Sequence, residues 1–589
     1  MAGDDKLTAE KPSAILTQYP WMRGYNGGVF ADDLVAAMIV TVLLVPQSLA
    51  YALLAGLPPQ VGIYASILPL AIYTFFGSSN YLSVGPTAVI SIMTAAVIAG
   101  LPEEARLVGA ALLAIMTGLM LLVLGLLRSG FIMNFVSRPV VSAYITGAAL
   151  LIMISQIKHV LGIAAEGRTA FSMIASMAGN LSQINIMAVI IGGGSVAAFL
   201  CIKRYMGYGL LKLGLRSKRA KLFARIAPIL IVTICILLTT FLDLDEDHGL
   251  RIVGKIPQGL PMLEVPRVNM DLIKFLMIPA FVIGLVAFVD SMSTAQTLAA
   301  RSRRSVDSNK ELLGMGASNF VSGLAGGYPV NGSMSRSAVN FAAGGRTPVV
   351  GLITAAFMAL TALFLTPVLK NLPLATLAAL IIVACFSLME FKTIWRTWVY
   401  SKADGITAIA TFLSVLVFGV QWGVLVGVVL SMALHIRLTL RPHLAVVGRF
   451  PGTEHYRDAD KFNVETHDVV KTLRVDESLY YANARYLEDK IARLLAKSPQ
   501  MTDLILMCPA VNRIDASALA SLRAIDSRLI SAGVRLHFSE LHSQVKERLH
   551  RSTFIESLSG NIYLSQHEAM EDLEPEPDWT QYSDHVDIH

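Results

Sequence analysis

From about residue 30 to about residue 440 the chain is a succession of apolar runs divided by short polar, glycine-rich and proline-rich breaks. A helix needs about 20 apolar residues to cross a hydrocarbon core, and most of the runs approach that length. Seven lie near 34–55, 61–76, 83–100, 105–127, 136–157, 184–202 and 224–242, and seven more near 274–299, 311–325, 333–343, 349–369, 373–389, 404–420 and 421–440. The pattern predicts an all-α polytopic membrane domain of fourteen segments. The third run of each set is too short to span. The first run of each set carries an interruption, Pro46-Gln47-Ser48 in one and Asp290 in the other, and a broken helix is expected at both. Gln47 and Asp290 are 243 positions apart, and Thr87 and Ser333 are 246. This regularity indicates a 7+7 repeat, about 30–242 and 274–440. An odd number of spans per half inverts the second half, so the two short helices enter from opposite faces and meet near the midplane. Asp32 and Asp33, just before the first run, are expected to cap its helix.

Composition agrees with the pattern. Of 589 residues 54% are hydrophobic and only 15% charged, with a mean hydropathy of +0.59, whereas a soluble domain carries about 25% charged residues. The amino-terminal stretch, residues 1–29, begins polar and acidic and lacks the basic and apolar regions of a cleaved signal. The net charge of +6 does not call for nucleic acid, because basic loops have a topological use here. Eight Lys/Arg and no acid lie between Lys203 and Arg225, and Arg301, Arg303 and Arg304 follow the eighth run. The loop after the seventh run holds Asp243, Asp245, Glu246 and Asp247. Positive charge therefore follows even-numbered spans, which predicts both termini in the cytoplasm of an inner-membrane protein.

After residue 440 the pattern changes. Residues 441–461 read as a linker and 462–570 as a small α/β domain. Val469–Val475, Asp503–Cys508 and Arg535–Phe538 have strand character, while Arg485–Lys497 and Ser517–Ala532 have helical periodicity. The tail, 571–589, is acidic and reads as disordered. The four cysteines, Cys201, Cys235, Cys385 and Cys508, have no metal-like spacing and read as packed thiols.

The candidate chemistry concentrates at Gly326-Gly-Tyr-Pro-Val-Asn-Gly-Ser-Met-Ser-Arg-Ser-Ala-Val-Asn340. Three glycines, a proline, several hydroxyls and Arg336 do not suit a continuous spanning helix. They suit a helix that starts inside the membrane, with Ser333 and Ser335 at its first turn. The orphan N–H groups of that turn, beside an arginine, attract an anion. The competing reading lets Arg336 snorkel to a membrane boundary. Thr87 and Ala88 mark the matching start in the first half, as Met334 does in the second, and the repeat brings Gln47 and Tyr51 to the same centre. Asp290 sits within an apolar run, where an ionisable group is costly and is usually functional; it is a candidate for coupling anion entry to H+ or Na+. Glu390 and Asp404 read as end groups. No nucleotide-binding Gly-Lys-Ser/Thr loop, metal-ligand cluster or catalytic dyad is present in the sequence, so neither an ATP-driven pump nor an enzyme is expected.

With these residues in hand, the chain resembles the sulfate permease (SulP) family of anion transporters. The resemblance covers nearly the whole length. It rests on Val45–Ala52, Gly56–Tyr64, Ser83–Ala88, Gly327–Ser337 and Gly448–Thr453 together. It implies a uracil-permease-like fold with core and gate domains, a homodimer, elevator-like movement, and a site between the third and tenth segments. Gln47, Tyr51, Thr87, Ser335 and Arg336 would line that site. The carboxyl-terminal domain resembles a STAS domain through Asp503–Cys508 and Val511–Leu519, and Ser517 falls where relatives are phosphorylated. Asp515 and Ser517 also read as an ordinary helix cap. Either way, this surface is a candidate for a cytoplasmic protein partner.

The expected function is secondary active transport of a small anion, most of all sulfate, by H+ symport. The rivals are a bicarbonate or C4-dicarboxylate symporter coupled to Na+ or H+, an uncoupled anion channel, and a membrane-tethered regulator. No bound cofactor is expected beyond the coupling ion.

Overall fold

A computed structural model of the chain describes residues 20–22, 24–131, 137–165, 167, 169–206, 212, 228–266, 269–386 and 388–573. Most of the acidic tail, residues 574–589, most of the amino-terminal segment and most of the basic Lys203–Arg225 loop lie outside the described residues. Two compact units divide at residue 431.

The first unit is helical. Its elements are α1 (Gly27–Leu54), α2 (Pro59–Tyr64), α3 (Leu68–Phe76), the short strand β1 (Val84–Gly85), α4 (Ala88–Ile98), α5 (Glu103–Leu126), α6 (Arg138–Leu161), α7 (Ala170–Gly179), α8 (Ile186–Cys201) and α9 (Pro228–Phe241). There follow α10 (Met270–Ser302), α11 (Ser308–Leu324), β2 (Asn331–Gly332), α12 (Met334–Ala343), α13 (Val349–Leu360), α14 (Leu374–Phe386), α15 (Phe391–Tyr400), α16 (Lys402–Phe418) and α17 (Val420–Leu440), which runs on past the division. Each of the fourteen expected runs contains a helix among the described residues, the run near 61–76 being divided into α2 and α3, and seven helical stretches among the described residues are long and apolar enough to cross a membrane.

Several local expectations are corrected. Asn26 caps α1 by accepting from the Val29 N–H at 3.0 Å, so the helix starts ahead of Asp32 and Asp33. Asp33 is buried within α1 and accepts from the N–H groups of Arg346 (2.7 Å) and Thr347 (3.3 Å) and from the Thr347 hydroxyl (2.5 Å), fastening the entry to α13. Neither first helix is broken: α1 passes through Pro46 for 28 residues and α10 through Asp290 for 33. A proline removes one helical bond, which neighbouring helices and local adjustment tolerate in a membrane bundle. Cys235, Cys385 and Cys508 are buried thiols, whereas Cys201 is exposed. Glu390 accepts from Ser142 Oγ at 2.8 Å, and its N–H donates to Thr146 Oγ1, so it ties α15 to α6 rather than merely ending a helix.

One face of the unit can be traced by contacts. Arg346 pairs with Asp32 at 2.7 Å, Asn80 donates to the Arg346 carbonyl, and the Asp307 N–H donates to the Ser78 hydroxyl. The start of α1, the end of α3, the end of α10 and the end of α12 therefore share a face. The start of α10 lies a helix of about 50 Å away at 1.5 Å per residue, and a Cβ added to Gly100, just past α4, would meet the Phe275 ring at 3.3 Å. The short helices α4 and α12 thus run to opposite faces. Their starts are joined by an antiparallel pair, Val84 opposite Gly332 and Gly85 opposite Asn331. Behind them α5 and α11 touch backbone to backbone: a Cβ on Gly118 would stand 2.3 Å from the Phe320 nitrogen, and one on Gly323 2.4 Å from the Ala111 carbonyl. Glu311 of α11, fully buried, accepts from the Tyr73 hydroxyl (2.8 Å), Ser78 Oγ (2.7 Å) and the N–H groups of Ser78 and Ser79, which satisfies a carboxylate that would otherwise be costly to bury.

The second unit is an α/β layer domain: β3 (Leu444–Arg449), β4 (Tyr456–Asp458), β5 (Val470–Val475), α18 (Ala484–Lys497), β6 (Asp503–Met507), α19 (Ala516–Ser531), β7 (Arg535–Ser539), α20 (Ser543–His550), α21 (Phe554–Ser557), β8 (Ile562–Tyr563) and α22 (Gln566–Leu573). The sheet order is β4-β3-β5-β6-β7-β8, with β5 to β8 parallel and β3 antiparallel to both neighbours. Residues 441–461 are therefore not a linker; glycines and prolines there hide a strand that sits inside the sheet, and α22 likewise takes in the first residues of the expected tail. Every residue of β6 is buried, as a central parallel strand requires. Leu504 and Leu506 pack with α18 and α19, Ile505 and Met507 with Tyr563 and α22.

A charge cluster, with Asp503 and His537 buried and Arg535 exposed, crosses this sheet. Asp503 accepts from Arg535 Nε (2.8 Å) and His537 Nε2 (2.9 Å), and His537 Nδ1 accepts from the Asn561 N–H (3.0 Å). Burial, opposed by the bond to Asp503, lowers the His537 pKa below its ordinary value, and a second ring proton would face the Asn561 N–H. Burial alone would raise the Asp503 carboxyl, but Thr502, Arg535 and His537 together hold it below its usual range. An unfolded histidine takes up a proton near pH 6.5 and this one does so only lower, so stability is fully present above pH 6.5 and falls as pH drops toward the native value. Residues 432–573 should lose stability as pH falls below about 6.5, at most about 1.4 kcal/mol per pH unit for one proton, and His537→Gln should flatten that slope in thermal unfolding.

Candidate functional site

The short helix α4 begins because Gly85 holds a positive φ of 152°, Pro86 lacks an N–H and Thr87 is still extended (φ −138°, ψ 156°). Thr87 is the residue that would normally cap the helix, yet its side chain makes no cap bond. Its hydroxyl instead donates to Asn331 Oδ1 at 2.5 Å. The first-turn N–H groups, from Ala88 onward, are left without a side-chain acceptor. At α12, Ser333 reaches the Arg336 N–H only at 3.5 Å, and its hydroxyl meets that of Ser335 at 3.1 Å. Met334 and Ser335 are exposed, while Ser333 is buried. Each helix starts just beyond the β1–β2 pair, so two thinly capped helix starts share one centre.

Arg336 is the third residue of α12 and only 1% exposed. Nη1 donates to the Pro86 carbonyl at 2.8 Å and lies 3.4 Å from Gln47 Oε1. Nε and Nη2 are buried without a hydrogen-bond partner, and among the described residues no carboxylate pairs with the guanidinium. Snorkelling to a boundary is thereby overturned. Gly85 lies against this group: an added Cβ would stand 3.3 Å from Nη2. Tyr51, buried one turn beyond Gln47, and Tyr328 lie within electrostatic range of the guanidinium, and the Tyr328 hydroxyl meets Ser91 Oγ at 3.0 Å.

Asp290 joins this centre indirectly. Its Oδ2 accepts from Asn331 Nδ2 at 2.6 Å, and the next residue, Ser291, accepts from the Gly332 N–H at 2.8 Å. A small cavity of about 30 Å3, lined mainly by Val140, Tyr144, Val286 and Val289, adjoins the carboxyl.

All nine transmembrane positions that the sequence points to converge here: Gln47, Tyr51, Thr87, Ala88, Ser333, Met334, Ser335 and Arg336 directly, Asp290 through Asn331. Asn331, Tyr328 and the acceptor role of the Pro86 carbonyl escape sequence reasoning, although Asn331 and Tyr328 lie inside the motif that draws attention to Arg336. In the second unit Asp515 caps α19, accepting from the N–H groups of Ala518 (2.8 Å) and Tyr481 (2.9 Å). The bond from Ala518, ahead of that from Tyr481, holds its carboxyl below the ordinary value. Ser517 is exposed in the first turn.

Comparison with known proteins agrees with this architecture. A model described as the sulfate permease family matches residues 30–411, and one described as the STAS domain matches 461–569, beginning after β3 and β4. The chain is similar to the chloroplastic sulfate transporter 4.1 of Arabidopsis thaliana, 32% identical over 570 residues that cover 94% of this chain and 82% of the relative. A probable sulfate transporter of Mycobacterium tuberculosis is 32% identical over 554 residues, 93% of this chain and 94% of the relative. Among solved structures, the murine Slc26a9 anion transporter in the inward-facing state superposes with a TM-score of 0.83 at 24% identity, over 97% of this chain and 96% of that one. The transmembrane domain of a cyanobacterial bicarbonate transporter, BicA, gives 0.58 at 24% identity over 69% of this chain and 98% of that one.

Proposed function

The chain belongs to the sulfate permease family and is a multi-pass membrane transporter, not an enzyme, and we propose that its cargo is a small inorganic oxyanion, sulfate foremost, taken up by symport with H+. The observation that carries this reading is the buried guanidinium of Arg336, with Nε and Nη2 unmatched, set beside two helix starts whose N–H groups lack good caps. Burying a charge without a partner is costly, and an anion at this spot would supply the missing acceptors to all three sources of positive charge. Gln47, Tyr51, Thr87, Ala88, Ser333, Met334, Ser335 and Arg336 form the binding site.

Asp290 is the coupling group. An uncoupled channel has no need of an ionisable carboxyl linked through one amide to the binding helix. Opposed half-helices fit a 7+7 inverted repeat, in which a core carrying α4, α10 and α12 moves past a gate in elevator fashion. The protein works as a homodimer in an inner membrane with both termini in the cytoplasm, and the STAS domain offers Ser517 at a helix start to a regulatory kinase or protein partner. Phosphopeptide mapping tests the last point; Ser517 unmodified under every growth condition would remove it.

Uptake into proteoliposomes of labelled sulfate, bicarbonate and succinate, each under imposed pH and Na+ gradients, tests the transport reading. Sulfate accumulation driven by an inward H+ gradient is expected. Accumulation of bicarbonate or succinate alone would reassign the cargo, and a Na+ requirement would reassign the coupling ion.

A further inference from the structure

We propose that Asn331 is an amide switch through which the charge state of Asp290 decides whether the Thr87 hydroxyl is free to donate to the transported anion. The inference rests on the reading of Asp290 as the coupling group and adds the route by which coupling reaches the anion.

Asn331 is fully buried and makes two short bonds of opposite sense: its Nδ2 donates to Asp290 Oδ2, and its Oδ1 accepts from Thr87 Oγ1. An ionised carboxylate only accepts. The amide must therefore turn its NH2 to Asp290 and its oxygen to Thr87, which commits the single proton of the Thr87 hydroxyl. That commitment explains why Thr87, at the cap position of α4, bonds sideways rather than to its own helix. A proton on Asp290 gives the carboxyl both a donor and an acceptor, and the amide is then free to turn over. Turned, it presents NH2 to Thr87 Oγ1, which accepts, and the hydroxyl proton swings toward the space in front of α4. An anion that takes this proton favours the turned amide and so favours the protonated carboxyl; the reciprocity is thermodynamic.

The surrounding charges leave this route uncrossed. Tyr144 of α6 faces Asp290 across the small cavity. Arg336 is the charged residue of α12, and α4 carries none. Asp271, Lys274 and Arg301 lie toward the ends of α10, Glu103, Glu104 and Arg106 at the start of α5, and Lys310 and Glu311 in the first turn of α11.

The test measures KM for labelled sulfate in proteoliposomes at symmetric pH 5.5 and 7.5. Wild type is expected to bind more tightly at the lower pH, by a factor in the range of about 5 to 150 typical of coupled sites. Asn331→Val and Thr87→Val are each expected to bring the two KM values within about twofold, their effects failing to add in the double variant. Asn331→Ser, whose hydroxyl both donates and accepts, is expected to restore the pH dependence. Either valine variant keeping the full wild-type dependence would overturn the switch, and Thr87→Val alone decides the matter if Asn331→Val does not fold. Asp290→Asn separates the two claims: if it loses gradient-driven uptake while both valine variants keep their pH dependence, the coupling role stands and the amide route falls.

Discussion

Arg336→Met is expected to cost most of the affinity for sulfate while leaving the anion-free protein at least as stable as wild type. The two halves of this expectation come from one fact. The guanidinium is buried, its Nε and Nη2 have no partner, and no carboxylate among the described residues neutralises it. Exchanging a buried, poorly compensated charge for an apolar side chain of similar size is often neutral or stabilising by about 1–4 kcal/mol. The anion complex is another matter. Charge-assisted hydrogen bonds contribute about 1.5–3 kcal/mol each, so loss of even one, with the Coulomb attraction, weakens binding by about 2–4 kcal/mol, on the order of 30- to 700-fold. Arg336→Lys keeps the charge but not the planar fork and should fall between. Thermal unfolding with and without sulfate reads both halves, because a ligand that binds only the folded state raises the midpoint by an amount that grows with the logarithm of its concentration over Kd. The methionine variant should melt no lower than wild type without sulfate and should gain far less from sulfate at concentrations that stabilise wild type. A variant that is stabilised by sulfate as wild type is would remove Arg336 from the site.

The two helix starts are readable in the sequence because each is a local event. Glycine, proline and hydroxyl residues in the middle of apolar runs have no other physical use, and Thr87 and Ser333 lie at the observed cap positions. Arg336 follows from the same stretch. What local pattern misleads on, or hides, depends on partners far away in the chain. Pro46 looks like a break locally, but α1 continues through it. Asp33 looks like a cap for the helix that contains it and instead fastens residues 346 and 347. Glu311 and Tyr73 are 238 positions apart, Thr87 and Asn331 are 244 apart; neither pairing leaves a periodic trace. The strand β3 reads as linker because Gly448, Pro451 and Gly452 dilute its alternation, and its place between β4 and β5 is set by pairing rather than by its own composition.

Asp290→Asn is expected to abolish accumulation of sulfate against its gradient while leaving downhill flux and counterflow in place. Asparagine matches the neutral carboxyl in size and offers both a donor and an acceptor to Asn331, so the β1–β2 centre and the helix starts keep their geometry. What it lacks is the second charge state. One proton moving through a gradient of one pH unit supplies about 1.4 kcal/mol, enough for about tenfold accumulation; a transporter that cannot take up that proton equilibrates its cargo and stops. Uptake by the variant should therefore rise to the external concentration and not beyond, whether the imposed gradient is inward, outward or absent. Asp290→Glu restores an ionisable group on a longer arm and should recover part of the accumulation if the proton is what matters. Should the asparagine variant still concentrate sulfate fully on an inward H+ gradient, the carboxyl is a structural anchor for Asn331 and the coupling proton binds elsewhere. Should wild type follow Na+ instead and the variant lose that response, the carboxyl keeps its role and the ion changes, because the same oxygen that accepts from Asn331 is also a hard ligand for a small cation.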